Sequence, residues 1–299
     1  MKVILTGASG LVGSALGPAL SAAGHEVWRL VRRTRTSEQE REWNPAEGRL
    51  DAAALESVDA VIHLGGENIA SGRWTAARKE RLRRSRVDST RLLAQAMAAT
   101  PCPPRVFLCA SAVGIYGDRG GEVLTESSPP GSGFLADVGR EWEAAAQSAA
   151  SPATRVVCLR FGVVLSPAGG ALARMLPVFR LGLGGRIGNG RQYWSWISLP
   201  DAVRAIEFVL ANGSISGPVN LVSPQPVTNA VFTRSLGEAL RRPACLPLPA
   251  FAARLALGEM ADAALLASAR AEPQKLLRAG FQFQHPALED ALRRLLAGR

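Results

Sequence analysis

The chain has 299 residues, 47% of them hydrophobic and 20% charged, with a formal net charge of +10. That length buries a full core without disulfide or metal staples, and the composition is that of an ordinary globular protein, not a disordered or fibrous one. The charge is nearly all arginine, since Lys2, Lys79 and Lys275 are the only lysines. Its densest run, Arg73 to Arg91, has few interleaved aromatics and no accompanying nucleic-acid fold signature, so it reads as a solvated helix face and no nucleic-acid partner is expected.

The first strand and turn, Val3-Ile4-Leu5-Thr6-Gly7-Ala8-Ser9-Gly10-Leu11-Val12-Gly13, organise the rest. An apolar run ends in three glycines spaced three apart, and an alanine-rich segment at helical spacing follows. This pattern carries a strand into a helix around a dinucleotide pyrophosphate. Gly7 permits the tight turn, Gly10 lets the backbone approach the phosphates, and Gly13 lets helix and strand pack closely. Leu11 and Val12 then open the helix whose N-terminus faces the anion. The first strand starts at once, so no signal peptide is expected. No apolar run reaches the roughly 18 residues of a membrane span. Cys102, Cys109, Cys158 and Cys245 form no CxxC pair. A cytoplasmic protein with reduced thiols and no membrane partner is expected.

The first helix runs to about Ala23, with Gly24 as its stop. Glu26 to Arg33 is the second strand. Where an NAD-preferring fold places an Asp or Glu for the ribose 2′-hydroxyl, this chain has Val31, Arg32, Arg33 and then Arg35, with no carboxylate before Glu38. A guanidinium fork suits a phosphate and offers no acceptor to a hydroxyl, so NADP is predicted over NAD. Residues 38–51 form a loop with one short strand near Trp43. Val58 to Gly66 is a buried strand ending in glycines, which sets Leu64 and Gly65 over the cofactor. His63 reads as a strand-end histidine bonded to backbone, not as a base.

A long helix over 75–99 and a strand over 105–110 lead to Ser111-Ala112-Val113-Gly114-Ile115-Tyr116-Gly117. A hydroxyl just after a parallel strand lies where chemistry occurs in a doubly wound sheet. Ser111 is therefore a candidate donor to a substrate oxygen, or alternatively a satisfied turn serine, and Tyr116 is a candidate substrate contact. Residues 118–133 read as a loop able to act as a lid. A helix over 134–149 and a strand over 155–160 follow. The glycine-dense 182–190 suits a mobile loop over a ligand. Tyr193 to Ile197 is a short strand, and Ser198 caps a helix with Asp201 three residues on. A strand over 219–222 and a helix over 229–240 complete a region with a smaller interleaved substrate lobe, mainly 166–198 and 213–245. Residues 246–299 form a helical C-terminal appendage, helical over 250–270 and again from about Pro286 to Leu296.

These features together resemble the short-chain dehydrogenase/reductase superfamily, in its extended, sugar-nucleotide-epimerase branch. His63-Leu64-Gly65-Gly66-Glu67-Asn68-Ile69, Leu181-Gly182-Leu183-Gly184-Gly185-Arg186-Ile187-Gly188, Trp196-Ile197 and Gly280-Phe281-Gln282-Phe283 resemble the 39U-type epimerase-like proteins, which carry a C-terminal domain of unknown function. The resemblance covers essentially the whole chain. It implies a Rossmann-like, doubly wound α/β fold that binds NADP, with Arg32, Leu64, Gly65, Arg86 and Val164 at cofactor-contact positions. It leaves a monomer or a homodimer through the helices at 75–99 and 134–149 equally open.

One departure from the superfamily is decisive. Its chemistry rests on Tyr-x-x-x-Lys, the Lys lowering the tyrosine pKa. Here Gly120 stands four after Tyr116, Ile197 stands four after Tyr193, and no lysine lies between Lys79 and Lys275. In the helix where the pair belongs, Leu135 and Gly139 take its places. Two classes follow. One is an NADP-dependent oxidoreductase or epimerase on an unknown small molecule, with Ser111 polarising the substrate and Tyr116, Glu67 or Asp118 moving the proton. The other is an NADP(H)-binding sensor or scaffold without chemistry.

Overall fold

The computed structural model describes residues 1–297. The chain opens with β1 (Lys2–Thr6), α1 (Leu11–Ala22), β2 (Glu26–Val31) and β3 (Glu40–Glu42). It then crosses to β4 (Ala60–His63), α2 (Ala76–Ala98), β5 (Val106–Ala112), the two-residue β6 (Val123–Leu124), α3 (Phe134–Gln147) and β7 (Arg155–Phe161). After β8 (Val163–Leu165), α4 (Gly170–Arg180), β9 (Tyr193–Trp194), β10 (Trp196–Ser198) and α5 (Leu199–Ala211), β11 (Gly217–Leu221) closes the large sheet. That sheet has seven parallel strands in the order β11-β7-β5-β4-β1-β2-β3. The chain builds outward from β1 in one direction and then restarts at β4 in the other, so the crevice between the carboxyl ends of β1 and β4 is the topological switch point.

Period-two alternation along the strands buries both faces. Val3, Leu5, Ile62, Leu108 and Val157 pack with Leu16 and Leu20 of α1 and Ile206 and Val209 of α5. Ile4, Val61, Phe107, Cys109 and Val156 pack with Val87 and Leu93 of α2 and Trp142 of α3. Local chemistry sets the helix ends. Thr75 accepts a bond from Arg78 N–H at 3.2 Å to start α2, and the Ser198 hydroxyl accepts from Asp201 N–H at 3.1 Å to start α5, as its cap-and-acid spacing predicts. Gly24, at φ +81°, ends α1.

The second lobe gathers α4, β9 and β10 with β12 (Val227–Thr228), α6 (Asn229–Leu240) and α9 (Leu288–Ala297). Its core holds Leu172, Phe179, Trp194, Trp196, Phe232 and Leu292. The C-terminal tail packs on both lobes. It consists of α7 (Ala250–Leu257), a wide turn at 261–266, β13 (Arg270–Ala271), α8 (Gln274–Arg278) and α9. Leu276 and Phe281 enter the core of the large sheet, while Leu288 and Leu292 enter that of the second lobe.

Two segments expected to move are tied down. In 118–133, β6 pairs with β13 in parallel, and Arg119 N–H donates to the Ser268 carbonyl at 2.8 Å. In 182–190, Leu246 N–H donates to the Gly184 carbonyl at 3.1 Å and Gly188 N–H to the Leu248 carbonyl at 2.9 Å. In both cases the tail supplies partners that lie too far along the chain to be read locally. Among the described residues, no helix is long and apolar enough to cross a membrane.

Candidate nucleotide-binding and active site

The turn after β1 is built for close approach. Gly7 has φ +68°, and a Cβ there would meet the Leu64 carbonyl carbon at 2.7 Å, so the turn lies against the end of β4. A Cβ on Gly13 would run into the Gly7 carbonyl oxygen. Gly10 caps α1 with no side chain reaching back, and the first turn of α1 contains no acid. The first N–H groups of this helix are therefore free for an anion, with the helix dipole behind them. Leu11 leans on the second lobe, 3.1 Å from where Cβ atoms of Gly169 and Gly170 would lie; Gly170 in turn sits against the Val164 carbonyl. Gly170 thus lies between the Leu11 side chain and the Val164 carbonyl.

The two arginines after β2 part ways. Arg33 grips Glu40 with both ends of its fork, at 2.8 and 3.0 Å. That grip, with the Thr36 N–H, holds the Glu40 carboxyl down at about 2. This pair ties Arg33 to β3, while its side chain stays half exposed. Arg32 is exposed beside Val31 and makes no ion pair among the described residues.

At the end of β4 a chain of hydroxyls surrounds His63. Gly65 N–H donates to Thr6 Oγ1 at 3.2 Å, and Thr6 Oγ1 lies 2.6 Å from His63 Nδ1. His63 Nε2 lies 3.1 Å from Ser89 Oγ, which in turn donates to the Ser85 carbonyl at 2.8 Å. A neutral His63 with its proton on Nε2 satisfies all of these contacts, with Thr6 donating to Nδ1 and Ser89 accepting from Nε2. Burial, with the Arg86 charge nearby, pushes the ring down to about 3. His63 is therefore no base at neutral pH, and its partners are side chains, not the backbone that was expected. Arg86 donates to the Glu67 carbonyl at 2.9 Å and stacks 5.3 Å from the Trp142 ring. Burial lowers its pKa to about 10, which leaves it charged. It pins the Gly65–Glu67 loop beside the crevice. Arg78 holds the far side of that loop through Glu67 and Ser71, so Glu67 is engaged as an ion-pair partner.

The end of β5 is arranged differently. Ser111 is buried, and its hydroxyl donates to Glu143 Oε1 at 2.7 Å. Glu143 also receives both arms of Arg160, each at 2.8 Å. Tyr116 is 0% exposed. Its hydroxyl lies 2.7 Å from Asn220 Oδ1 and 2.9 Å from the Thr125 carbonyl, two acceptors for one proton, and accepts from Arg160 Nη1 at 2.9 Å. Burial raises its pKa, with Arg160 opposing. A buried phenol with all its capacity engaged does not touch a substrate, so the expected substrate contact at Tyr116 is corrected to a place in the core network. Asp118 is likewise occupied, accepting from Ser268 N–H at 3.1 Å.

The helix face that would carry the Tyr–Lys pair is filled by packing. Leu135 Cβ would lie 3.3 Å from a Cβ on Gly114, and a Cβ on Gly139 would meet Ile115 Cβ at 2.9 Å. No side chain fits at 139 without moving the turn at 113–116. One helical turn further along the same face stands Glu143. Glu143 and Arg160 were missed from sequence. The signal was there in the spacing 135–139–143, but the partner of Glu143 lies on a strand seventeen residues away.

Comparison with known proteins agrees with this geometry. Residues 3–221 match the NAD dependent epimerase/dehydratase family, and residues 248–295 match a domain of unknown function, DUF1731. The epimerase family protein Mb2239 of Mycobacterium bovis is 51% identical over 290 residues, covering 97% of this chain and 96% of its own. The human epimerase family protein SDR39U1 is 36% identical, covering 99% of this chain and all of its own. The crystal structure of that human protein with NADPH superposes with a TM-score of 0.92 at 35% identity, and each chain is covered in full. A UDP-glucuronic acid 4-epimerase from Bacillus cereus shares the fold, with a TM-score of 0.78 at 17% identity over 98% and 96% of the two chains.

Proposed function

The chain belongs to the NAD dependent epimerase/dehydratase family, and from that premise we propose that it binds NADP(H) in the crevice between β1 and β4. The observation that carries this is the bare glycine turn. Its Cβ-free surface at Gly7 and Gly13 and its uncapped, acid-free helix start are what a pyrophosphate requires. The human relative crystallised with NADPH supports the choice of cofactor. Arg32 is the residue for the 2′-phosphate, since it is the member of the strand-end pair without a carboxylate partner. Leu11, Val12, Leu64, Gly65 and Val164 line the crevice, and Arg86 holds its wall. Bound there, the nicotinamide would supply or accept a hydride.

The reaction class we propose is oxidoreductase or epimerase chemistry on a small molecule, run without a Tyr–Lys pair. Ser111 is the hydroxyl at the end of β5, and its link to Glu143 gives it a route for a proton. A second reading is binding without chemistry, as a sensor or scaffold. It is favoured by the contact of Gly139 with Ile115, which closes the acid/base face.

Fluorescence titration with NADPH and NADH tests the cofactor assignment in the native protein and in Arg32→Ala. The variant is expected to weaken NADPH by at least about tenfold, the scale of one lost charge-assisted contact, and to leave NADH alone. Equal losses for both would sink it. A screen for NADPH oxidation separates the two readings: turnover lost in Ser111→Ala with NADPH affinity kept supports the enzyme.

A further inference from the structure

The described residues expose few large apolar side chains, and most of these gather on one surface of the second lobe. Val178 and Leu181 stand on the exposed side of the last turns of α4, Leu181 at 73%, and Leu183 follows. The pairing of 184–188 with 246–248 sets Leu246 and Leu248 beside them. α7 comes next and exposes Phe251 and Leu255, one turn apart, at 71% and 74%. Single exposed leucines need no explanation, but an adjoining set does.

The charge around this set is predominantly basic, and the acids at its edges, Glu238, Glu259 and Asp262, are each paired, with Arg234, Lys79 and Arg254. No Asp or Glu occurs in 144–200 or in 239–258. Arg180, Arg186, Arg241 and Arg242 are exposed and make no ion pair among the described residues. The surface also borders the crevice. Arg174 of α4 donates to the Ala70 carbonyl at 2.7 Å, and Arg73 reaches the carbonyls of Leu255 and Ala256 at the end of α7. Both helices therefore abut the loop that leaves β4.

Leucines and a phenylalanine on helix ends, beside four exposed arginines that pair with no carboxylate among the described residues, complement an anionic bilayer. The apolar side chains enter the acyl boundary while the guanidinium groups meet lipid phosphates. We propose that this surface docks the protein peripherally on an anionic membrane, with the crevice mouth facing the headgroups. The absence of a membrane span does not bear on such docking, which needs only a surface.

The test is co-sedimentation of the full chain with vesicles of phosphatidylcholine alone and of phosphatidylcholine mixed with phosphatidylglycerol. Binding to the mixed vesicles is expected to be at least about tenfold tighter and to fall with added salt. Phe251→Ser/Leu255→Ser is expected to lose about tenfold or more on the mixed vesicles with an unchanged melting temperature, and Arg180→Gln/Arg186→Gln to lose the preference for phosphatidylglycerol. Failure to bind mixed vesicles overturns the proposal, as does equal binding to both compositions or full binding by the Phe251→Ser/Leu255→Ser variant. Self-association in solution that this variant abolishes, without vesicle binding, would assign the surface to a second copy of the chain.

Discussion

The turn after β1 and the end of β5 lie at the same edge of one sheet, yet they are opposite in character. At the first, backbone N–H groups are left without side-chain caps, and bulk is absent at Gly7 and Gly13. At the second, Ser111, Glu143, Arg160 and Tyr116 bond one another, and Asn220 and the Thr125 carbonyl take up the phenol proton. Polar capacity left unspent marks a place where a ligand completes the structure, because an unmade hydrogen bond is costly when buried. Capacity spent internally marks a place that holds the structure together. The second place is a buried ionic network under a helix that packs through Gly139.

That contrast can be broken or sharpened by substitution. Glu143→Ala should have the largest effect on folding. It strands the Arg160 charge in the core, at a cost of about 3–5 kcal/mol, which urea unfolding would read; a loss under about 1 kcal/mol would mean the network is a surface feature in all but name. Gly13→Val should do the reverse, abolishing NADPH fluorescence enhancement while the protein remains folded by circular dichroism, since its clash is with the turn itself.

His63 offers a pH readout of the wall between the two places. Its folded pKa is depressed to about 3 from the usual 6.5. The unfolded chain therefore takes up the proton first, and stability is kept above about pH 6.5 and lost as pH falls toward 3. The slope from this group is at most about 1.4 kcal/mol per pH unit. Glu40, held down at about 2, adds a loss of the same sign at lower pH. His63→Gln should flatten the unfolding profile between pH 6.5 and 4; an unaltered slope would place the acid sensitivity elsewhere. Ser111→Ala should cost less than Glu143→Ala, about 1.5–3 kcal/mol for one hydrogen bond to a charged group, with NADPH affinity unchanged. A loss of affinity would show the two places to be coupled.

Much of the nucleotide turn was legible from sequence because it is local. Glycine spacing, strand and helix start all fall within a dozen residues, and each glycine has its own steric reason. The missing Tyr–Lys pair was legible too, as a simple absence. What was not legible were partners distant in the chain. Arg32 and Arg33 look alike as neighbours, and only the pairing of β3 with β2 hands Glu40 to one of them. Tyr116 looks like a free phenol until Asn220 and Arg160 arrive from strands about 104 and 44 residues away.

The sequence by itself determined the α/β alternation, the glycine cradle, the arginine-rich character and the want of a lysine acid/base partner, because these depend on residue type and near spacing. Only the tertiary structure decided which arginine stays free, which hydroxyls are sealed, that the tail threads both lobes, and that leucines and arginines from α4 and α7 form one surface. Those outcomes depend on which segments the sheet order and the tail bring side by side, and no periodicity along the chain carries that information.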